Sequence, residues 1–141
     1  MPAVPLPGSV HSLTLANDLD ELRRMSAWLT QTAAACGLAR ERVADLEVCA
    51  NEAVTNIISY AYDSPGQRDI SLRLSCRDDG VNLSIEDDGR PFDPLAAAQA
   101  DAPASLEQAG IGGLGIKLIR SMMKDCRYQR HAGKNIFSFT A

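Results

Sequence analysis

The strongest constraint in this chain is a pair of short segments, residues 69–76 and 81–86, in which apolar and polar side chains alternate. A period of two sends alternate residues to opposite faces of a strand. The intervening Arg77-Asp78-Asp79-Gly80 ends in Asp-Gly, which supplies the backbone angles of a tight turn. The segments therefore predict an antiparallel hairpin with one apolar face, and that face needs a second layer to cover it. Two helical stripes upstream provide one. Leu19, Leu22, Met25, Ala27, Leu29, Ala33 and Cys36 form the first, with Asn17 or Asp18 as N-cap, Glu21 placed to complete a capping box with Asp18, and Gly37 as the stop. The second begins near Arg40 and carries Val43, Leu46, Ala50, Val54, Ile57 and Ala61, ending at residues 63–66.

A strand over residues 11–16 precedes the helices. A third helix over 113–124 and two strands, 126–131 and 134–140 with Gly133 between them, follow the hairpin. The expected fold is α+β, a two-layer sandwich with a mostly antiparallel mixed sheet and helices on one face. Residues 10–141 read as a single domain, and the proline-rich residues 1–9 as a flexible tail.

A net charge of −4 lacks the basic footprint that binding to a nucleic-acid backbone requires. No apolar run approaches the ~18 residues of a membrane helix, and the N-terminus has no signal-peptide pattern. Cys36, Cys49, Cys76 and Cys126 are scattered, with no Cys-x-x-Cys pair and with His11 and His131 distant in sequence. Reduced thiols in a cytoplasmic protein, with neither a zinc site nor a disulfide framework, are the expectation. Neither histidine has a partner suited to nucleophilic catalysis.

Three segments could carry chemistry. Glu52 and Asn56 lie one turn apart on a single face of the second helix, interrupting an apolar stretch. An amide oxygen there can bind Mg²⁺ while the carboxylate deprotonates a hydroxyl; taken alone, the pair also fits an ordinary solvated helix face. Asp87-Asp88-Gly89 closes a strand, where a carboxylate can accept from an exocyclic amine and glycine permits close approach; a plain polar turn would look the same. Residues 110–115, Gly-Ile-Gly-Gly-Leu-Gly, are harder to explain blandly. Four glycines weaken a helix start by roughly 1 kcal/mol each, a cost offset where backbone N–H groups at a helix N-terminus meet phosphate. The spacing matches neither a Walker loop nor a dinucleotide fingerprint.

In this order the three segments resemble the boxes of the Bergerat ATP-binding fold shared by gyrase, histidine kinases and MutL. Within that superfamily the chain most resembles the RsbW/SpoIIAB-type anti-sigma factors, which are serine-protein kinases. Residues 47–62 resemble the N box, 87–94 the first glycine box in its short form, and 110–118 the second. The resemblance implies Glu52 as general base and Asn56 as the Mg²⁺ ligand. It implies Asp87, Gly89 and Phe92 at the adenine ring. A lid would span 93–109, and Gly110, Ile111, Gly112, Gly113, Leu114 and Gly115 would lie around the phosphates. Two positions depart from the pattern. Pro91 replaces a glycine, and Asn135 stands where a Gly-Thr pair often closes the adenine pocket, its amide substituting for the hydroxyl.

The implied function is an ATP-dependent serine kinase and anti-sigma factor acting on a STAS-domain antagonist in a partner-switching module, with a sigma factor as further partner. A homodimer is expected, with the first strand and helix as its contacts. The alternative is a nucleotide-gated binding module without kinase activity. A histidine-kinase catalytic domain is disfavoured, because residues 18–36 contain no phospho-accepting histidine.

Overall fold

The computed structural model describes residues 8–62, 66–95 and 114–141. The chain runs β1 (Val10–Ala16), a 3₁₀ turn (Leu19–Glu21), α1 (Leu22–Ala35), α2 (Arg40–Tyr60), β2 (Asp69–Arg77), β3 (Gly80–Asp87), α3 (Leu114–Met122), β4 (Asp125–His131) and β5 (Lys134–Thr140). The five strands form one sheet in the order β1-β2-β3-β5-β4, and every neighbouring pair is antiparallel.

The β2–β3 hairpin sits at the centre of the molecule, with Leu72 opposite Ile85 and Leu74 opposite Leu83. All four are buried, together with Leu15 of β1 and Phe139 of β5. Met25, Leu29 and Ala33 of α1, Leu46, Ala50 and Val54 of α2, and Ile116 and Ile119 of α3 join the same core. Ser12, Thr14, Ser71 and Arg73, on the alternate positions, are exposed. The α+β two-layer expectation therefore holds. Arg77 pairs with Gly80 across the turn. A Cβ on Gly80 would run into the Ala141 carbonyl, so the C-terminus depends on glycine there. The β4–β5 turn places Ala132 and Gly133 at φ 52° and 79°, the two consecutive positive angles of a type I′ hairpin.

Some local expectations change. Asp18 does cap, its Oδ1 accepting from the Asp20 N–H at 2.9 Å. Glu21, however, accepts from the Ala16 N–H at 3.0 Å instead of closing a capping box. The tighter 3₁₀ turn places Glu21 at its end, where it reaches back to β1. Of the expected tail, residues 1–7 lie outside the described residues. Ser9 lies just before β1 and is tied to the sheet, its carbonyl accepting from the Cys76 N–H at 2.9 Å.

The cysteine expectation is corrected. Cys36, at the C-cap of α1, is disulfide-bonded to Cys76 on β2, with Cα atoms 5.5 Å apart. Their sequence separation of 40 residues concealed a contact made by packing the end of α1 over the sheet. Cys49 and Cys126 are free. Among the described residues no helix is long and apolar enough to cross a membrane.

Candidate functional site

The sheet and α2 converge at one end of the molecule. The Ala61 carbonyl, just past α2, accepts from the Arg90 N–H at 2.9 Å, which fastens the turn after β3 to the helix end. That contact leaves no room for a side chain at residue 89. A Cβ there would lie 2.5 Å from the Ala61 carbonyl oxygen and 2.9 Å from Asp87 Oδ1. Gly89 is thus required by the protein's own backbone, whatever else approaches it.

Asp87, the last residue of β3, is only 4% exposed. Its Oδ1 accepts from the Gly89 N–H at 2.9 Å and from Asn135 Nδ2 at 3.0 Å. Burial raises its pKa above the ordinary carboxylate value, while these two hydrogen bonds and Arg130 pull it back. Among the described residues no hydrogen bond reaches Oδ2, and Asp87 lines the adjoining cavity.

Asn135 is placed by register, directly opposite Asp87 on β5. Its Nδ2 also donates to the Arg90 carbonyl at 2.8 Å. Its Oδ1 accepts from the Tyr128 hydroxyl at 2.6 Å, Arg130 Nη1 at 3.2 Å and the Phe92 N–H at 3.3 Å. Arg130 Nη1 further donates to the Gly89 carbonyl at 2.8 Å. Every polar atom of the Asn135 side chain is committed within the protein, and the network fixes which way the amide points.

The cavity beside Asp87 has walls from Ala53, Ile57, Tyr60, Phe92, Ile116 and Phe137, with Asn56 as a polar member. It holds about 40 Å³, more than the ~10–15 Å³ that one water needs by the same measure. Two large side chains of this wall, Phe92 and Tyr60, are 40% and 38% exposed. Asn56 Nδ2 is buried with no hydrogen-bond partner among the described residues. An orphaned buried amide is costly, at about 1–3 kcal/mol, unless a ligand satisfies it. Glu52 lies one turn earlier on α2, half-buried and outside the cavity wall.

The chain matches the histidine kinase-like ATPase domain over residues 15–141. It is 37% identical over 98 residues to the serine/threonine-protein kinase BtrW of Bordetella bronchiseptica, covering 68% of each chain. It is 28% identical over 112 residues to the serine-protein kinase RsbW of Bacillus subtilis, covering 77% of this chain and 70% of that one. A crystal structure of the RsbU and RsbW domains of Rv1364c from Mycobacterium tuberculosis superimposes with a TM-score of 0.61 at 20% identity. That match covers 95% of this chain and 32% of the solved one, so this chain spans about a third of that protein's length. The chain belongs to the histidine kinase-like ATPase family. Within it, this is an RsbW-type serine/threonine-protein kinase.

For a kinase-like ATPase the layout has a clear division. Asp87, Gly89, Phe92 and Asn135 gather at one end, and Asn56 reaches the same cavity from α2. Gly110, Ile111, Gly112 and Gly113 lie outside the described residues, as does the expected lid beyond residue 95; Leu114 and Gly115 open α3. Sequence reading missed Tyr128 and Arg130. They share the helix-facing side of β4 by alternation, but nothing local in the sequence ties them to Asp87.

Proposed function

We propose that this ATP-using kinase transfers the γ-phosphoryl group to a serine of a STAS-domain anti-sigma factor antagonist, as one arm of a partner-switching module. The observation that carries the reading is the buried, unpartnered amide of Asn56 beside the Asp87 cavity, with Glu52 one helical turn away. Asp87 Oδ2 is free to accept from the amino group of adenine. Asn135 takes no ligand itself and holds Asp87 in that orientation.

Mg²⁺ suits this donor set, since an amide oxygen is a hard ligand and Mg²⁺ keeps most of its coordination for phosphate and water. An amide without a protein partner can turn its oxygen towards the ion at no cost in lost hydrogen bonds. Asn56 would hold the metal, which when bound would neutralise charge on the transferring phosphoryl group. Glu52 would accept the proton from the attacking serine Oγ. Gly110 to Gly115 would offer backbone N–H groups to the phosphates.

The same reading places the protein in the cytoplasm with a sigma factor as its second partner, and uses the exposed edge of β1 for a homodimer. Incubating the chain with Mg-ATP and a purified STAS-domain antagonist tests it directly. Phosphoserine on the antagonist, found by mass spectrometry and absent when that serine is alanine, is the expected result. Tight ATP binding with no transfer would instead favour a nucleotide-gated binding module.

A further inference from the structure

At the opposite end of the sheet from Asp87 lies a cluster the kinase reaction does not use. Position 76 is five residues along β2 from Ser71, which pairs with Glu86 next to Asp87, and this amounts to about 17 Å of strand. There His11, Cys36 and Cys76 converge, with one ligand atom from each lying within 4.8 Å of the others. Antiparallel pairing causes this. His11 sits opposite Leu74, so its side chain emerges on the same face as Cys76, and Cys36 closes the space from the end of α1.

A disulfide needs two sulfurs and nothing more, but this cluster has a third donor. The His11 ring is half-buried, and its Nε2 is 3.3 Å from Ser9 Oγ. Such a bond on one ring nitrogen is how metal-bound histidines are oriented, the other nitrogen being left to ligate. Two thiolates and an imidazole with an open fourth position form a tetrahedral zinc set. Zinc–ligand lengths of 2.0–2.3 Å put such donors roughly 3.7 Å apart, a spacing the cluster already brackets. A surface groove lined by Cys36, Gly37, Arg77 and Asp79 gives solvent a route to it.

We propose that His11, Cys36 and Cys76 form a zinc-binding site that exists only when the Cys36–Cys76 bond is reduced. A dithiol reductant supplies two electrons and two protons. The Sγ–Sγ bond breaks, two thiols form, and the reductant becomes a disulfide. Zn²⁺ then binds both sulfurs as thiolates, and the two thiol protons leave to solvent. Bond and metal are mutually exclusive clamps on the same place, joining the end of α1 to β2.

The test compares full-length chain, oxidised or reduced with a dithiol and desalted without oxygen, in Zn²⁺ titrations against a chromophoric chelator and in Co²⁺ spectra. The reduced chain is expected to hold one Zn²⁺ and to show a thiolate-to-cobalt charge-transfer band, while the oxidised chain holds none. Cys36→Ser and His11→Ala should each remove the tight site. Ser9→Ala should weaken it by roughly 10–100-fold, as for loss of a supporting hydrogen bond, and Cys126→Ser should leave it unchanged. Circular dichroism of each variant verifies folding. Stoichiometric zinc that survives Cys36→Ser or His11→Ala overturns the proposal, as does a folded, reduced chain that binds none or a chain that unfolds on reduction.

Discussion

The two ends of the candidate site are built on opposite principles. At the Asp87 end, a buried carboxylate is held by Gly89 and Asn135, and Asn135 by Tyr128, Arg130, Arg90 and Phe92. At the Asn56 end, a buried amide has no partner among the described residues, and Glu52 stands one helical turn away on the same helix. On the proposed reading the first end is preorganised for a base, and the second is completed by what binds. The contrast is physically sensible. A purine is a rigid, neutral object best met by fixed acceptors, whereas phosphate and metal bring enough charge to satisfy a loose site.

Breaking the loose end should cost chemistry and little else. Glu52→Gln is expected to lower phosphoryl transfer by roughly 10²–10⁴-fold with ATP affinity within about twofold, measured by single-turnover transfer beside equilibrium titration. An equal loss in both would erase the division. Breaking the fixed end should cost stability first. Asn135→Ala strands the Tyr128 hydroxyl and removes a donor from Asp87, which should destabilise the fold by about 2–4 kcal/mol in denaturant unfolding, and weaken ATP binding as well.

Asp87→Asn sharpens the comparison because stability and binding should move in opposite directions. The folded-state pKa of Asp87 is raised, mainly by burial. Its ionised form is therefore disfavoured in the fold, and its contribution to stability falls as pH rises through the folded pKa. A neutral amide escapes that cost while keeping an acceptor for Gly89. The variant should melt a few degrees higher at neutral pH, with the gain shrinking as pH falls and the wild-type carboxyl protonates. ATP affinity should drop by about tenfold or more, through loss of a charge-assisted hydrogen bond. Smallest of all, Ala132→Asn should stabilise the β4–β5 turn by up to ~1 kcal/mol, because Asn tolerates the positive φ that alanine resists; thermal melting would register it, with ATP binding unchanged.

The loose end was legible in the sequence and the fixed end only in part. Glu52 and Asn56 are four residues apart on one helix, so local periodicity alone puts them on one face. Asp87 and Gly89 likewise belong to a single turn. The residues that orient Asp87 come from strands β4 and β5, more than 40 positions later, and meet it because register pairs Asp87 with Asn135. Sequence reading marked Asn135 as a substitute for a ligand-binding hydroxyl; its bond to Asp87 is what strand pairing adds. Tyr128 and Arg130 carried no signal, since alternation in β4 tells which face they share but not what crosses from β3. The fold itself was readable because its hairpin, stripes and turns are all local patterns. The Cys36–Cys76 bond and its histidine neighbour were not, for the reason Tyr128 was not: strand pairing and helix packing bring together what spacing keeps apart.

The central claim, a preformed base end joined to a ligand-completed phosphate end, is tested most directly by one set of calorimetric titrations. Adenosine and ATP are each bound to wild-type chain and to Asn56→Ala, with and without Mg²⁺. Adenosine is expected to bind both proteins equally and without regard to Mg²⁺. ATP should gain affinity from Mg²⁺ in the wild type and lose that gain in Asn56→Ala. Adenosine affinity that falls with Asn56→Ala, or a Mg²⁺ gain that survives it, would contradict the account.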